Sequence, residues 1–139
     1  MCRVGSVAAL RRGQAAESVE LLEIARRYEL APNGLAFNGY YLGGLHSAYV
    51  RGEALVAAHR HAEAAAEFQK ILDHRGLVAL DPIGALAHLQ LGRVFALSGD
   101  KAKAKAAYEV FLTLWRDADP DVPILKSAKA EYAKLWPAL

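Results

Sequence analysis

Cysteine is nearly absent: Cys2 stands alone in 139 residues. That excludes an internal disulfide and suits a reducing compartment. An excess of one charge is lacking too. Seventeen Lys and Arg against 15 Asp and Glu leave a formal net charge of +2, too small for a nucleic-acid footprint or a membrane-attracted surface. No apolar run approaches the length that crosses a bilayer. Residues 1–10 hold a short apolar patch without a proper signal-peptide core, and Arg11-Arg12 follow at once. Sustained period-two alternation of β-branched residues is also missing, which argues against sheet. These absences predict one cytoplasmic domain with no membrane or nucleic-acid partner, long enough to bury most of its apolar surface unaided.

Alanine dominates a 54% hydrophobic fraction, alongside Leu, Glu, Lys and Arg. That mixture favours helix, because these side chains lose little conformational freedom in one. Helices are predicted over 2–12, 14–28, 45–58, 61–74, 83–97, 101–116 and 122–136. Gly13 breaks the first two. A connector over 31–44 is crowded with Pro, Asn and Gly, and a second over 75–80 ends in Asp81-Pro82, an N-cap followed by proline. In Ser98-Gly99-Asp100 the glycine ends one helix and the aspartate caps the next.

Two stretches share one pattern. Gly52, Leu55, Ala64, Phe68 and Ile71 recur forty residues on as Gly92, Phe95, Ala104, Tyr108 and Phe111. A fainter copy precedes them: with Gly13 matched to Gly99, Ser6, Ala9, Ser18 and Leu22 stand for Gly92, Phe95, Ala104 and Tyr108. Small residues are expected to let paired helices approach, with larger ones filling the space where they diverge. One pair leaves apolar faces open, so pairs must stack, and the function of such a stack is a surface.

This pattern resembles the tetratricopeptide repeat. Leu91-Gly92, Phe95, Gly99-Asp100, Ala104 and Tyr108 match its signature well, whereas the earlier copy has Arg51 where leucine is usual and His59 where the turn glycine is usual. The resemblance implies an all-α fold, a right-handed superhelical stack of antiparallel helix pairs. The whole chain, 1–139, would be one domain with a degenerate repeat (1–30), two clearer repeats (45–76 and 85–116) and a closing helix (122–136). The stretches 68–76 and 81–93 are similar to the C-terminal repeat arrays of bacterial eukaryotic-like serine/threonine kinases and some winged-helix regulators, and 115–125 with 128–132 resembles the tail that closes such arrays. No kinase glycine loop, catalytic aspartate motif or DNA-reading helix accompanies them.

What the resemblance implies is a non-catalytic module, the sensor or docking end of a signalling protein, binding a peptide or protein on its concave face. Carried onto this chain, the inward positions are Arg3, Val7 and Leu10; His46, Tyr49, Val50 and Glu53; and Leu86, Leu89, Gln90 and Arg93. The expected partner-binding set is His46, Tyr49, Glu53, Leu86, Leu89, Gln90 and Arg93. Arg3 and Val7 stand where a terminal-carboxylate clamp needs lysine and asparagine, so that activity is not expected. The N-terminal end lacks an evident polar cap, which suggests a homodimer surface. The alternative is a regulatory small-molecule-binding domain, with a pocket between the 31–44 connector and the repeats, controlling an attached kinase or transcription-regulator output.

No catalytic, cofactor or metal residue is expected. Asp117, Asp119 and Asp121 alternate like a calcium loop, but Val122 and Ala128 occupy the positions that need glycine and glutamate, so they read as a turn and helix cap. His46, His59, His61, His74 and His88 lack the spacing of zinc ligands. Ser6 and Ser18 sit at packing positions, and Gly39, Gly43 and Gly44 fit neither phosphate-binding loop. Lys101, Lys103 and Lys105 read as solubilising surface. Trp115, Tyr132 and Trp136 read as the packing of the closing helix.

Overall fold

A computed structural model describes residues 2–30, 36–37, 40–41, 44–78 and 80–137, with side chains for 5–30, 44–78 and 80–137. Among the described residues eight α-helices are seen: α1 (Cys2–Arg11), α2 (Ala15–Glu23), α3 (Leu45–Ala57), α4 (His61–Asp73), α5 (Arg75–Val78), α6 (Ile83–Leu97), α7 (Lys101–Leu114) and α8 (Pro123–Leu135). The fold is all-α but for one small correction. Two-residue strands β1 (Ala36–Phe37) and β2 (Tyr40–Tyr41) pair antiparallel. The remainder of the 31–44 connector, with the expected turns at Gly39 and Gly43, lies outside the described residues up to Gly44, as does the Arg3 side chain. Two further departures are local. From Ile24 to Tyr28 the expected second helix tightens to a 3-10 turn, and one helical turn, α5, forms inside the expected 75–80 connector.

One turn geometry occurs three times. Gly13, His59 and Gly99 have φ of 77°, 58° and 81°. The next residue's N–H reaches back over each turn: Gln14 to the Ala9 carbonyl at 2.9 Å, Arg60 to Leu55 at 2.8 Å and Asp100 to Phe95 at 2.9 Å. This six-to-one bond satisfies a carbonyl that the helix end leaves open. The following helix starts in the same way each time, as Ser18, Ala64 and Ala104 donate to Gln14, Arg60 and Asp100 at 3.0 Å. Helix pairs α1–α2, α3–α4 and α6–α7 are therefore hairpins closed by one device. Asp100 adds a side-chain cap, accepting from the Lys103 N–H at 3.1 Å.

Packing explains the conserved offsets within the chain. A Cβ placed on Gly52 would stand 2.6 Å from the Phe68 ring, and one on Gly92 would stand 2.7 Å from Tyr108 Cδ2. Each glycine thus makes room for the aromatic ring sixteen residues later, and the ring itself, not only close backbone approach, fills the hairpin. Helix α4 packs between α3 and α6. Leu55, Phe68, Ile71, Ala87, Leu91 and Val94 form the core there. A second cluster joins α6, α7 and α8 through Leu89, Tyr108, Phe111, Leu125 and Ala128.

The first and second hairpins are also tied by buried charge. Arg51 is 0% exposed. It donates to the Leu22 carbonyl at 2.8 Å and to Glu67 at 3.0 Å, and it also contacts Glu29. Lys70 reaches Glu29 at 3.1 Å and Glu67 at 3.4 Å, while Arg26 pairs with Glu67 at 2.8 Å. Burial pulls the Glu67 carboxyl upward, but the Arg51 hydrogen bond and the surrounding cations outweigh it and hold the group below its ordinary range.

Candidate functional site

A cleft of about 440 Å³ lies between α3, α6 and α8. Its apolar walls are Val56, Ala96, Leu97 and Leu135, and Gln90, Arg93, Tyr108, Glu131 and Lys134 supply the polar lining. Leu97 is 59% exposed and Leu135 39%. The floor is held by hydrogen bonds between helices. Gln90 Nε2 donates to Tyr49 OH at 2.9 Å and to Glu53 Oε1 at 3.2 Å. Arg93 forks onto Glu131, with Nε to Oε2 at 2.8 Å and Nη2 to Oε1 at 2.6 Å. Tyr108 OH and Ser127 Oγ also donate to Glu131, each at 2.7 Å.

Electrostatics follow from these contacts. The Arg93 fork outweighs partial burial and holds the Glu131 carboxyl down at about 2, assisted by Ser127 and Tyr108. Burial raises the Tyr108 phenol, and the adjacent Glu131 charge reinforces the shift. Burial also raises Glu53, with the Arg93 charge opposing it. Arg93 is therefore already neutralised. Lys134 makes no ion pair among the described residues and is the cation left to face an incoming group.

Of the seven expected partner-binding residues, four converge. Gln90 and Arg93 line the cleft, and Tyr49 and Glu53 on the facing turns of α3 are joined to Gln90 by hydrogen bonds. His46 is placed elsewhere: its Nε2 stands 2.7 Å from Asp81 Oδ2, bridging the starts of α3 and α6. Leu89 is a correction, because it is 1% exposed and belongs to the second core. Leu86 packs against the same cluster. The physical reason is α8, which lays Leu125 and Ala128 on the face of α6 that the sequence reading left to a partner. Val7 and Leu10 on α1 are half-buried, with Leu10 packed on the first core.

Val56, Leu97, Tyr108, Glu131, Lys134 and Leu135 line the cleft without having stood out in the sequence as binding residues. Glu131 and its neighbours carried one signal, a four-residue spacing from Ser127 and the same spacing from Glu131 to Leu135 along α8. That spacing puts them on one helix face but not on which neighbour.

The other candidates resolve locally. Asp119 accepts from the Asp121 N–H at 2.8 Å in a turn, but the cap of α8 is Val122, without a side-chain bond. Lys103 pairs with Asp100 at 3.1 Å and Lys105 with Glu109 at 3.9 Å. Tyr132 and Trp136 stack at 5.0 Å, each edge-on to Tyr108, and Trp115 stacks on Phe111 at 5.1 Å, so these aromatics seat α8. Among the described residues no group of three His, Cys, Asp or Glu is placed to hold a metal ion, and no helix is long and apolar enough to cross a membrane. No protein-family model matches the chain, and no curated protein matches it.

Proposed function

We propose that the chain is a non-catalytic interaction module of the tetratricopeptide kind, and that it binds a peptide or protein segment in the cleft between α3, α6 and α8. The observation that carries this reading is the pairing of exposed Leu97 and Leu135 with a floor whose polar groups are already fixed by one another. A floor so ordered loses little freedom when a ligand arrives. An apolar side chain of leucine size entering beside Val56 gains about 1.5–3 kcal/mol from burial, and Lys134 offers a hydrogen bond at the rim. The three alike hairpin turns and the placement of α4 between α3 and α6 support a stack of helix pairs; its right-handed superhelical sense is what the resemblance implies. On this reading the protein is a docking or sensing element of a cytoplasmic signalling assembly.

A displayed library of random peptides, selected on the wild-type chain and counter-selected on Leu97→Asp, tests the proposal. Enriched peptides should share a spaced apolar residue and lose binding to both Leu97→Asp and Leu135→Asp. Peptides that bind all three chains alike would remove the cleft as the site.

A further inference from the structure

A second cavity, of about 480 Å³, opens where α4, α5, α6 and the end of α7 meet. Gly84, Ala85 and His88 line it from α6, whereas Gln90, Arg93 and Leu97 line the cleft. At 3.6 residues per turn these sets lie on opposite sides of α6, so the cavity does not rest on the peptide reading. Its volume falls in the range of small-molecule sites. One wall is hydrocarbon and aromatic, built from Ile71, Leu72, Val78 and Trp115. Leu80 stands at the rim 99% exposed.

Three polar side chains face that wall, and their commitments differ. Asp81 is fully engaged: Oδ2 holds His46 Nε2 at 2.7 Å and Oδ1 accepts from the Ile83 N–H at 3.0 Å. Arg75 makes no ion pair or hydrogen bond through its side chain among the described residues. His88 is half-buried, and burial, with the Arg75 charge behind it, lowers its proton affinity. At neutral pH it is a neutral imidazole with one N–H to donate.

We propose that this cavity binds a small organic monocarboxylate, its apolar body against Trp115 and Ile71 and its carboxylate on the Arg75 guanidinium, with His88 donating the second hydrogen bond. A guanidinium and a carboxylate match in geometry and unit charge. A phosphate dianion fits less well, since one cation serves it and the Asp81 carboxylate shares the cavity.

The test is a titration of the full chain carrying Trp136→Phe, so that Trp115 alone reports, with 4-phenylbutyrate, the neutral 4-phenylbutan-1-ol and inorganic phosphate as probes. The acid should change Trp115 emission saturably and bind at least about tenfold tighter than the alcohol. Phosphate should not displace it. Arg75→Gln, a change at an exposed residue, should bring acid and alcohol to the same affinity, and Arg75→Lys should keep part of the preference. Leu97→Asp, in the cleft, should leave both affinities unchanged. Equal binding of acid and alcohol to the wild-type site, displacement by phosphate, an unaltered preference in Arg75→Gln, or no saturable response at all would each overturn the proposal.

Discussion

Arg51→Leu is the most informative single change, because it removes the fully buried cation that both buried carboxylates of the first interface share, and leaves them only the more exposed Lys70 and Arg26. Glu29 and Glu67 have side chains 1% and 5% exposed, and without Arg51 they would face only Lys70 and Arg26, whose side chains are 23% and 45% exposed. Breaking a buried pair in this way costs about 3–5 kcal/mol. At roughly 2–4 °C per kcal/mol for a chain of this size, the midpoint of thermal unfolding should fall by roughly 6–20 °C. The chain also contains its own control. Forty residues on, the corresponding place holds Leu91, buried at 4% exposure, and Ala107 stands where the first copy has Glu67. The same hairpin therefore packs with hydrocarbon alone. A triple variant, Arg51→Leu with Glu29→Met and Glu67→Ala, should recover to within about 1 kcal/mol of wild type or exceed it, since apolar replacement of a whole buried network is neutral or favourable. Denaturant unfolding with fixed slope measures both. Acid sharpens the comparison. Glu67 is lowered in the folded state, so its share of stability is present above the unfolded carboxylate range and lost as pH falls through the folded value. Wild type should lose stability over that window, and the triple variant should lose less. A single variant costing under about 1 kcal/mol, or a triple variant no better than the single, would refute the reasoning.

His59→Gly should stabilise by about 1 kcal/mol, because His59 alone among the three turn residues takes a left-handed φ with a side chain. Gly99→Ala should destabilise by a similar amount, about 1 kcal/mol, on conformational grounds alone, since nothing lies within 4 Å of the added methyl; thermal melts compare the pair. Gly92→Ala should cost about 1–3 kcal/mol by forcing Tyr108 aside, and a double-mutant cycle with Tyr108→Phe should show coupling, because the ring is pinned through its hydroxyl to Glu131. Glu131 is held at about 2 against an ordinary 4.5, so its contribution is full above pH 4.5 and lost between there and about 2. Trp136 emission should report loosening of α8 in that window for wild type and at neutral pH for Glu131→Gln.

Helix positions were legible because composition and turn residues act within one element. Gly13, Gly99 and Asp100 mark their boundaries by φ and capping, both local effects. The site was half legible for a related reason. Tyr49, Glu53, Gln90 and Arg93 share faces of α3 and α6 at helical spacing, so any reading that pairs these helices finds them. Leu89 was misplaced because an apolar residue on a helix face looks the same whether a partner or α8 covers it. Arg51 looked like a departure from a repeat pattern. Its partners Glu29 and Glu67 lie 22 and 16 residues away, and no periodicity links an arginine to acids on two other elements.

The fate of Leu89 also explains why a cleft exists at all. Where the third hairpin follows the second, α4 packs along α6 and the first core runs on without a break. After the third hairpin the described residues supply α8. Leu125 and Ala128, in the first half of α8, close over Leu89 and Phe111, but beyond Ala128 the helix turns charge and aromatic to its neighbours: Glu131 to Arg93, Tyr132 to Glu109, Trp136 to Tyr108. A fork between Arg93 and Glu131 holds two helices at the length of two side chains, and hydrocarbon packing would draw them closer. The walls on either side of that strut, Leu97 and Leu135, are left partly in water. A protein selected for stability alone could carry apolar residues at 93 and 131 at little or no cost, since replacing a whole part-buried pair, unlike breaking it, is neutral or favourable. The strut keeps the floor of the cleft polar beside the partly exposed Leu97 and Leu135, the combination on which the proposed peptide site depends.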